Sequence, residues 1–205
     1  MAELGFRYGV MGSRKSLELI DRADGFDEQG VPVITVKPAQ ETRGGDNIFS
    51  RTGRERPADI LTTPDTNLRE RVQHIMAEKA LEAVHHILVD ESQLLTPLQV
   101  DQLHRLTREP GIPVTAYGLR TDFQTQLFDG SRRLLEVADT IENIPLECRC
   151  GEKAEFNCRL VDGNFTFEGE LIIIDGQDGI TYEPLCGDCY FAERDKFDKI
   201  TTAEA

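Results

Sequence analysis

Phe6-Arg7-Tyr8-Gly9-Val10-Met11-Gly12-Ser13-Arg14-Lys15-Ser16 reads as an apolar strand, Phe6–Val10, running into a glycine-rich turn. Ser16–Ala23 follows with Leu17 and Ile20 on one helical face, giving strand, turn and helix. Outward from this unit the pattern repeats. Val31–Val36 is a β-branched run bounded by Gly30 and Pro38, the mark of a second buried strand. Asn67–Ala83 has helical spacing, His86–Asp90 is an apolar strand, and Pro97–Thr107 is a helix expected to bury Leu98, Leu103 and Leu106. Pro113–Tyr117 is a further strand before Gly118. Such alternation implies an α/β fold: a mainly parallel sheet flanked by helices, with right-handed crossovers and a ligand crevice at the carboxyl ends of its strands.

Two stretches break the pattern. Gln40–Pro64, rich in Arg, Gly, Thr and Asp, lacks periodicity and is expected to be a long surface loop. From Pro145 the texture changes to paired cysteines, glycine turns and alternating segments such as Asn164–Ile174, which suggest hairpins. The expected layout is a nucleotide-binding α/β domain over 1–144, a small metal-stapled β domain over 145–192 and a tail over 193–205, frayed from Lys196 to Ala205.

Composition narrows the function classes. Of 205 residues, 39% are hydrophobic and 29% charged, the balance of a soluble globular protein. The net charge of −14 repels polyphosphate backbones and offers little counterion release, so a nucleic-acid partner is not expected. No window is long and apolar enough to span a membrane, and Met1–Tyr8 lacks the layout of a signal peptide, so a cytoplasmic protein is expected.

Four constellations carry chemistry. Gly9, Lys15 and Ser16 occupy three of the four fixed positions of the phosphate loop G-x-x-x-x-G-K-[ST]. In such a loop, backbone N–H groups cradle phosphates, the lysine reaches the β/γ oxygens and the hydroxyl helps hold Mg²⁺. Arg14 stands where glycine is expected and brings a Cβ to a place that favours unusual dihedrals; a plain glycine-rich turn is the alternative. His86–Glu91 delivers two carboxylates to the carboxyl end of a strand. One suits Mg²⁺ and its neighbour suits a base accepting a hydroxyl proton, the alternative being a solvated acidic turn. Cys148/Cys150 and Cys186/Cys189 make two knuckles for one tetrahedral ion; four sulfurs close the site, so this metal belongs to folding. Cys158 is left as a small core residue. Finally, Phe123 and Phe128, after the strand that ends at Tyr117, could enclose a flat base or simply be core.

In order and content these motifs resemble the type II thymidine kinases. Gly9, Met11, Lys15 and Ser16 stand in register with that family's phosphate loop. Glu41-Thr42-Arg43 resembles its Asp-Thr-Arg stretch, and Asp90-Glu91-Ser92-Gln93-Leu94 its Asp-Glu-x-Gln-Phe signature. Tyr117-Gly-Leu-Arg-Thr-Asp-Phe123, followed by Phe128, Gly130 and Ala138-Asp139, is similar to its next block, and Tyr182-Glu-Pro-Leu-Cys186 with Cys189-Tyr190 to its closing segment.

The resemblance implies transfer of the ATP γ-phosphoryl group to the 5′-hydroxyl of thymidine. Gly9, Met11, Gly12, Ser13, Arg14, Lys15 and Ser16 would hold the phosphates, with Ser16 and Asp90 on Mg²⁺. Glu91 would be the general base and Arg43 would stabilise transferring charge. Met11, Leu94, Leu119, Phe123 and Phe128 would line the nucleoside pocket, covered by a lasso over Asp175–Leu185 that includes Asp175, Gly176 and Tyr182. Structural Zn²⁺ would sit on Cys148, Cys150, Cys186 and Cys189. A homotetramer and feedback binding of thymidine triphosphate are further implications. The departures at Arg14, at Leu94 in place of an aromatic, at Cys148-x-Cys150 and at Asp175-Gly176 leave a second reading open: a nucleotide-binding regulatory member in which the Arg14 cation fills the γ-phosphate space.

Overall fold

The computed structural model describes residues 1–169 and 179–204. Strand β1 (Leu4–Tyr8) leads through the glycine-rich turn into helix α1 (Lys15–Glu28), then β2 (Val33–Pro38). A short hairpin follows, β3 (Asn47–Phe49) with β4 (Glu55–Pro57), and then β5 (Ile60–Thr62) and α2 (Leu68–Glu78). Next come β6 (His86–Val89), a 3-10 turn at Ser92–Leu94, α3 (Pro97–Arg108), β7 (Val114–Gly118), α4 (Asp129–Val137) and β8 (Thr140–Asn143).

Six strands form one sheet in the order β5-β2-β6-β7-β1-β8, and every neighbouring pair is parallel. All residues of β2, β6 and β7 are buried, as strands covered on both faces must be. Leu4 and Phe6 of β1, Ile34 and Val36 of β2, Ile87 and Val89 of β6, and Val114 and Ala116 of β7 share a core with Leu68, Val72 and Ile75 of α2 and Val100, Leu103 and Leu106 of α3. The strand order puts β1 inside the sheet, so the carboxyl ends of β1, β2, β6 and β7 lie side by side.

Contact density divides the chain into two units. The first comprises Met1–Tyr8, Arg14–Leu119 and Phe128–Asn143; the second comprises Gly9–Ser13, Arg120–Leu127 and the chain from Ile144 onward. The second unit has an antiparallel sheet of β9 (Phe156–Val161) between β10 (Asn164–Thr166) and β11 (Ile180–Leu185), followed by helix α5 (Gly187–Glu204). Its core gathers Val10, Cys148, Ala154, Cys158, Phe167, Leu185, Cys186 and Tyr190. No helix among the described residues is long and apolar enough to cross a membrane.

Three expectations are corrected. Gln40–Pro64 is not one loop, since it contains β3, β4 and β5, the last an edge strand of the main sheet. Strands of three residues are too short to display an alternation, and Arg54 and Arg56 disguise the hairpin as a charged loop. They pair with α1 instead, Arg54 with Asp21 and Asp24, Arg56 with Asp24 (2.8 Å) and Asp27 (2.6 Å). Leu98 is 64% exposed. Thr96 caps α3 with Pro97 in its first turn, and Gln99 turns inward, closing a capping box and donating to the Thr63 and Thr66 carbonyls. The inward face therefore starts at Gln99. The tail is the second half of α5, where Phe197 packs edge-on to Phe167 at 5.6 Å and gives the helix an apolar anchor.

A pH effect follows from His86 at the start of β6. The imidazole is buried against Phe26, and its Nε2 pairs with Thr115 Oγ1 at 2.8 Å. Burial first, then the Arg22 cation, push it down to about 3. Between the ordinary value and about pH 3 only the unfolded chain takes up this proton. Stability from a neutral His86 is thus fully present above about pH 6.5 and is lost as pH falls, by on the order of 4 kcal/mol at pH 3. Urea unfolding of the wild type and His86→Gln from pH 7 to pH 4 should show a steeper acid loss in the wild type; parallel curves would refute the assignment.

Candidate active site

The carboxyl end of β6 sets the geometry. Asp90 leaves the sheet buried, its N–H still donating to the Val36 carbonyl of β2. Ser16, in the first turn of α1, donates its hydroxyl to Asp90 Oδ1 at 3.0 Å. Burial first, and then the neighbouring Glu91 charge, raise Asp90 to about 7. Lys15 is buried beside them. Burial pushes its ammonium down to about 8, against the opposing pull of Glu91 and Asp90. The cluster concentrates one cation and two carboxylates in a shielded place, where such charges are strong.

Glu91 takes the left-handed backbone at φ 46° and starts the 3-10 turn. Its carboxylate is held from both sides: Arg43 Nη2 donates to Oε1 at 3.0 Å, and Gln93 Nε2 donates to Oε2 at 2.6 Å. Gln93 Oε1 in turn accepts from the Leu119 N–H at 3.0 Å, tying the end of β6 to the end of β7. Gly130, at the start of α4, lets that helix approach: a Cβ there would lie 2.6–2.9 Å from the carbonyls of Ser92, Leu95 and Gln93.

Arg43 reaches Glu91 from the segment after β2. Its Nε and Nη2 also engage Glu41, at 2.9 and 2.7 Å. Burial pushes the Glu41 carboxyl up, but the hydrogen bonds and charge of Arg43 outweigh it and hold Glu41 below its ordinary value; the same pairing raises Arg43. Arg43 is thus fixed between two carboxylates.

In the second unit, the Met11 N–H donates to Asn157 Oδ1 at 2.7 Å, and the Ser13 N–H to the Val10 carbonyl at 3.2 Å. Phe123 lies buried under the Arg159 guanidinium, 3.6 Å from ring centroid to carbon, and Arg159 Nε donates to Tyr182 Oη at 3.0 Å. The Sγ atoms of Cys148, Cys150, Cys186 and Cys189 all lie within 4.8 Å of one another, with Cys150 and Cys186 at 3.6 Å. Four thiols at this spacing fit one tetrahedral ion, for which sulfurs about 2.3 Å from the centre stand about 3.8 Å apart. Cys158 is outside the group, and burial pushes its thiol up to about 12.

The chain is similar to known proteins along most of its length. The thymidine kinase family model matches residues 2–190. A thymidine kinase of Streptococcus pyogenes serotype M3 is 38% identical over 193 residues, covering 93% of this chain and 98% of that protein. The chain belongs to the thymidine kinase family. The thymidine kinase of Enterobacteria phage T4 is 39% identical over 188 residues, covering 91% and 94%, and that of Lactococcus lactis subsp. lactis is 36% identical over 193 residues, covering 93% and 98%. This family member is accordingly a kinase, and its cysteine cluster accords with the type II branch.

The structure brings Lys15, Ser16, Arg43, Asp90 and Glu91 together inside the first unit, where Leu94 is half-buried in the 3-10 turn, Leu119 is buried after β7 and half-buried Phe128 precedes α4. Gly9, Met11, Gly12, Ser13, Phe123 and Tyr182 belong to the second unit. Asp175 and Gly176 lie outside the described residues. Arg14 adopts φ 63° and caps α1 without a side-chain hydrogen bond, so it takes the left-handed backbone that glycine would take freely. Sequence reasoning passed over Lys37, Glu41, Gln93 and Arg159 as site residues. Lys37 and Arg159 carried a signal, a long cation inside a strand; Glu41 and Gln93 stood in the two motif stretches of the resemblance, which gave neither of them a role.

Proposed function

We propose that this family member transfers the γ-phosphoryl group of ATP to the 5′-hydroxyl of thymidine. The observation that carries the reading is a carboxylate, Glu91, clamped by Arg43 and Gln93 next to buried Asp90 and its hydrogen bond from Ser16, in a chain whose family and relatives are thymidine kinases. Two donors fix the Glu91 oxygens in place, and its remaining lone pairs accept the proton of the attacking hydroxyl. Lys15 neutralises phosphate oxygens, and Arg43 is the cation that answers charge spreading over the transferring group. A buried carboxylate bonded to a serine hydroxyl fits a hard cation; Ser16 and Asp90 would hold Mg²⁺, which when bound neutralises the β- and γ-phosphate oxygens. On the strength of the family resemblance alone, Leu94, Leu119 and Phe128 of the first unit and Met11, Phe123 and Tyr182 of the second are the proposed nucleoside contacts, and Zn²⁺ is the proposed ion of the four cysteines, holding the second unit's fold. Assembly as a homotetramer and feedback binding of thymidine triphosphate belong to the same reading, on the strength of the family resemblance.

The test is phosphorylation of radiolabelled thymidine by the purified protein with Mg-ATP, beside an Arg14→Gly variant. The wild type should turn over on the order of 1–100 times per second. Arg14→Gly should keep that turnover and gain about 1 kcal/mol in stability through relief of the left-handed backbone. Folded, zinc-loaded wild type that binds Mg-ATP yet leaves thymidine unphosphorylated, with activity restored in Arg14→Gly, would identify Arg14 as a plug in the γ-phosphate space and the protein as a nucleotide-binding regulator.

A further inference from the structure

Lys37 stands near the end of β2, only 1% exposed, with no carboxylate among the described residues in hydrogen-bond contact. Its ammonium donates instead to three backbone carbonyls of the following segment: Arg43 at 2.7 Å, Gly45 at 2.8 Å and Asn47 at 2.7 Å. An ammonium has three N–H donors, and all three are used. A lysine so saturated serves the backbone.

The segment it gathers is tight. The Gly45 N–H donates to the Thr42 carbonyl and the Asn47 N–H to the Gly44 carbonyl, at 3.1 and 3.0 Å. Gly44 and Gly45 both have positive φ, 71° and 59°. A Cβ on Gly44 would meet Phe49 Cβ at 2.7 Å. One of the three carbonyls belongs to Arg43, so the ammonium fixes the backbone from which that guanidinium reaches Glu91. Carbonyls converging on one point repel one another, and without a buried cation this turn opens.

We propose that Lys37 is the positioning residue for Arg43: it folds residues 43–47 around its ammonium and thereby sets the Arg43 clamp on Glu91. The proposal rests on the kinase reading for its catalytic consequence and on geometry alone for its structural one. Its effect should fall on kcat, because the clamp acts on the reacting groups, and should leave KM for ATP and thymidine nearly unchanged.

The test compares Lys37→Met, Gly44→Ala and Arg43→Gln, singly and with each of the first two combined with the third. Lys37→Met should lower kcat about 100-fold, the scale of an ångström-level misplacement, with both KM values held within about threefold. Gly44→Ala displaces the same turn without touching the ammonium and should give the same pattern, about 10-fold in kcat. Neither change should lower kcat further in the Arg43→Gln background, because the residue they position is already gone. Multiplying losses in the double variants, or losses in KM alone, would overturn the proposal. If Lys37→Met fails to fold, Gly44→Ala decides. Hydrogen exchange of the 42–49 amides gives a readout free of turnover: protection should drop in both Lys37→Met and Gly44→Ala. Unchanged protection defeats the proposal even in an active kinase, whereas lost protection in a wild-type background without turnover defeats only the kinase reading.

Discussion

Glu91→Gln lowers kcat by about 10³-fold, within the range for a lost general base, while KM for ATP and thymidine stays within about threefold. The substitution keeps the volume and the left-handed turn that starts at Glu91, so the fold has no reason to change. The amide can still accept from Gln93 through its oxygen, but its NH₂ then faces Arg43, where the carboxylate accepts a bond at 3.0 Å. Arg43 does not go unpaired, because Glu41 holds it through two further bonds. The site is therefore left assembled and without its base. Asp90→Asn separates the two carboxylates: it alters the partner of Ser16 and should raise the Mg²⁺ concentration needed for half-maximal rate, which Glu91→Gln should not. Steady-state kinetics across Mg²⁺ and thymidine concentrations check both. A Glu91→Gln enzyme that keeps more than a tenth of its rate would show that the proton leaves by another route.

How much of this could be read from the chain alone depends on what each residue does. The parallel sheet was legible because β2, β6 and β7 are buried on both faces and so read as short, mostly apolar runs containing β-branched residues. The carboxyl-end site was legible because its catalytic candidates follow strands, Asp90–Glu91 directly after β6 and Lys15–Ser16 at the start of the helix reached from β1 through the glycine-rich turn. The β3–β4 hairpin was not, because its arginines satisfy themselves on three aspartates of α1, and such pairing is invisible to a pattern that counts only apolar residues. Leu98 misled because one capping interaction, Thr96 with Gln99, rotated the buried face of α3 by one residue. Lys37 escaped for the converse reason. Its function lies in backbone carbonyls six to ten residues ahead, and a carbonyl has no letter in the sequence.

Removal of the metal should be the largest single perturbation of stability. The cysteine cluster joins two ends of the second unit. Cys148 and Cys150 lie in a tight turn, where the Gly151 N–H donates to the Cys148 carbonyl, and Cys186 and Cys189 bracket the start of α5. Cys148 and Cys186 are also walls of the core that holds Val10, Phe167, Leu185 and Tyr190. A core of this size beside a three-stranded sheet is small, and small metal domains draw on the order of 10 kcal/mol of folding free energy from the ion. The protein should bind one Zn²⁺ per chain. Cys189→Ser, which removes one thiolate of four, should cost on the order of 4 kcal/mol and lower Tm by about 10 °C, at about 2–4 °C per kcal/mol for a chain of this length. Metal-stripped protein should lose the near-ultraviolet signal of Tyr190 and expose Cys158 to thiol reagents, while the six-stranded sheet, which has its own core, keeps its far-ultraviolet signal. Readdition of Zn²⁺ should reverse both changes. If Cys189→Ser unfolds at the wild-type temperature and the purified chain carries no metal, the four thiols are packing groups, and the second unit stands on its aromatic core of Phe156, Phe167, Tyr190 and Phe197 alone.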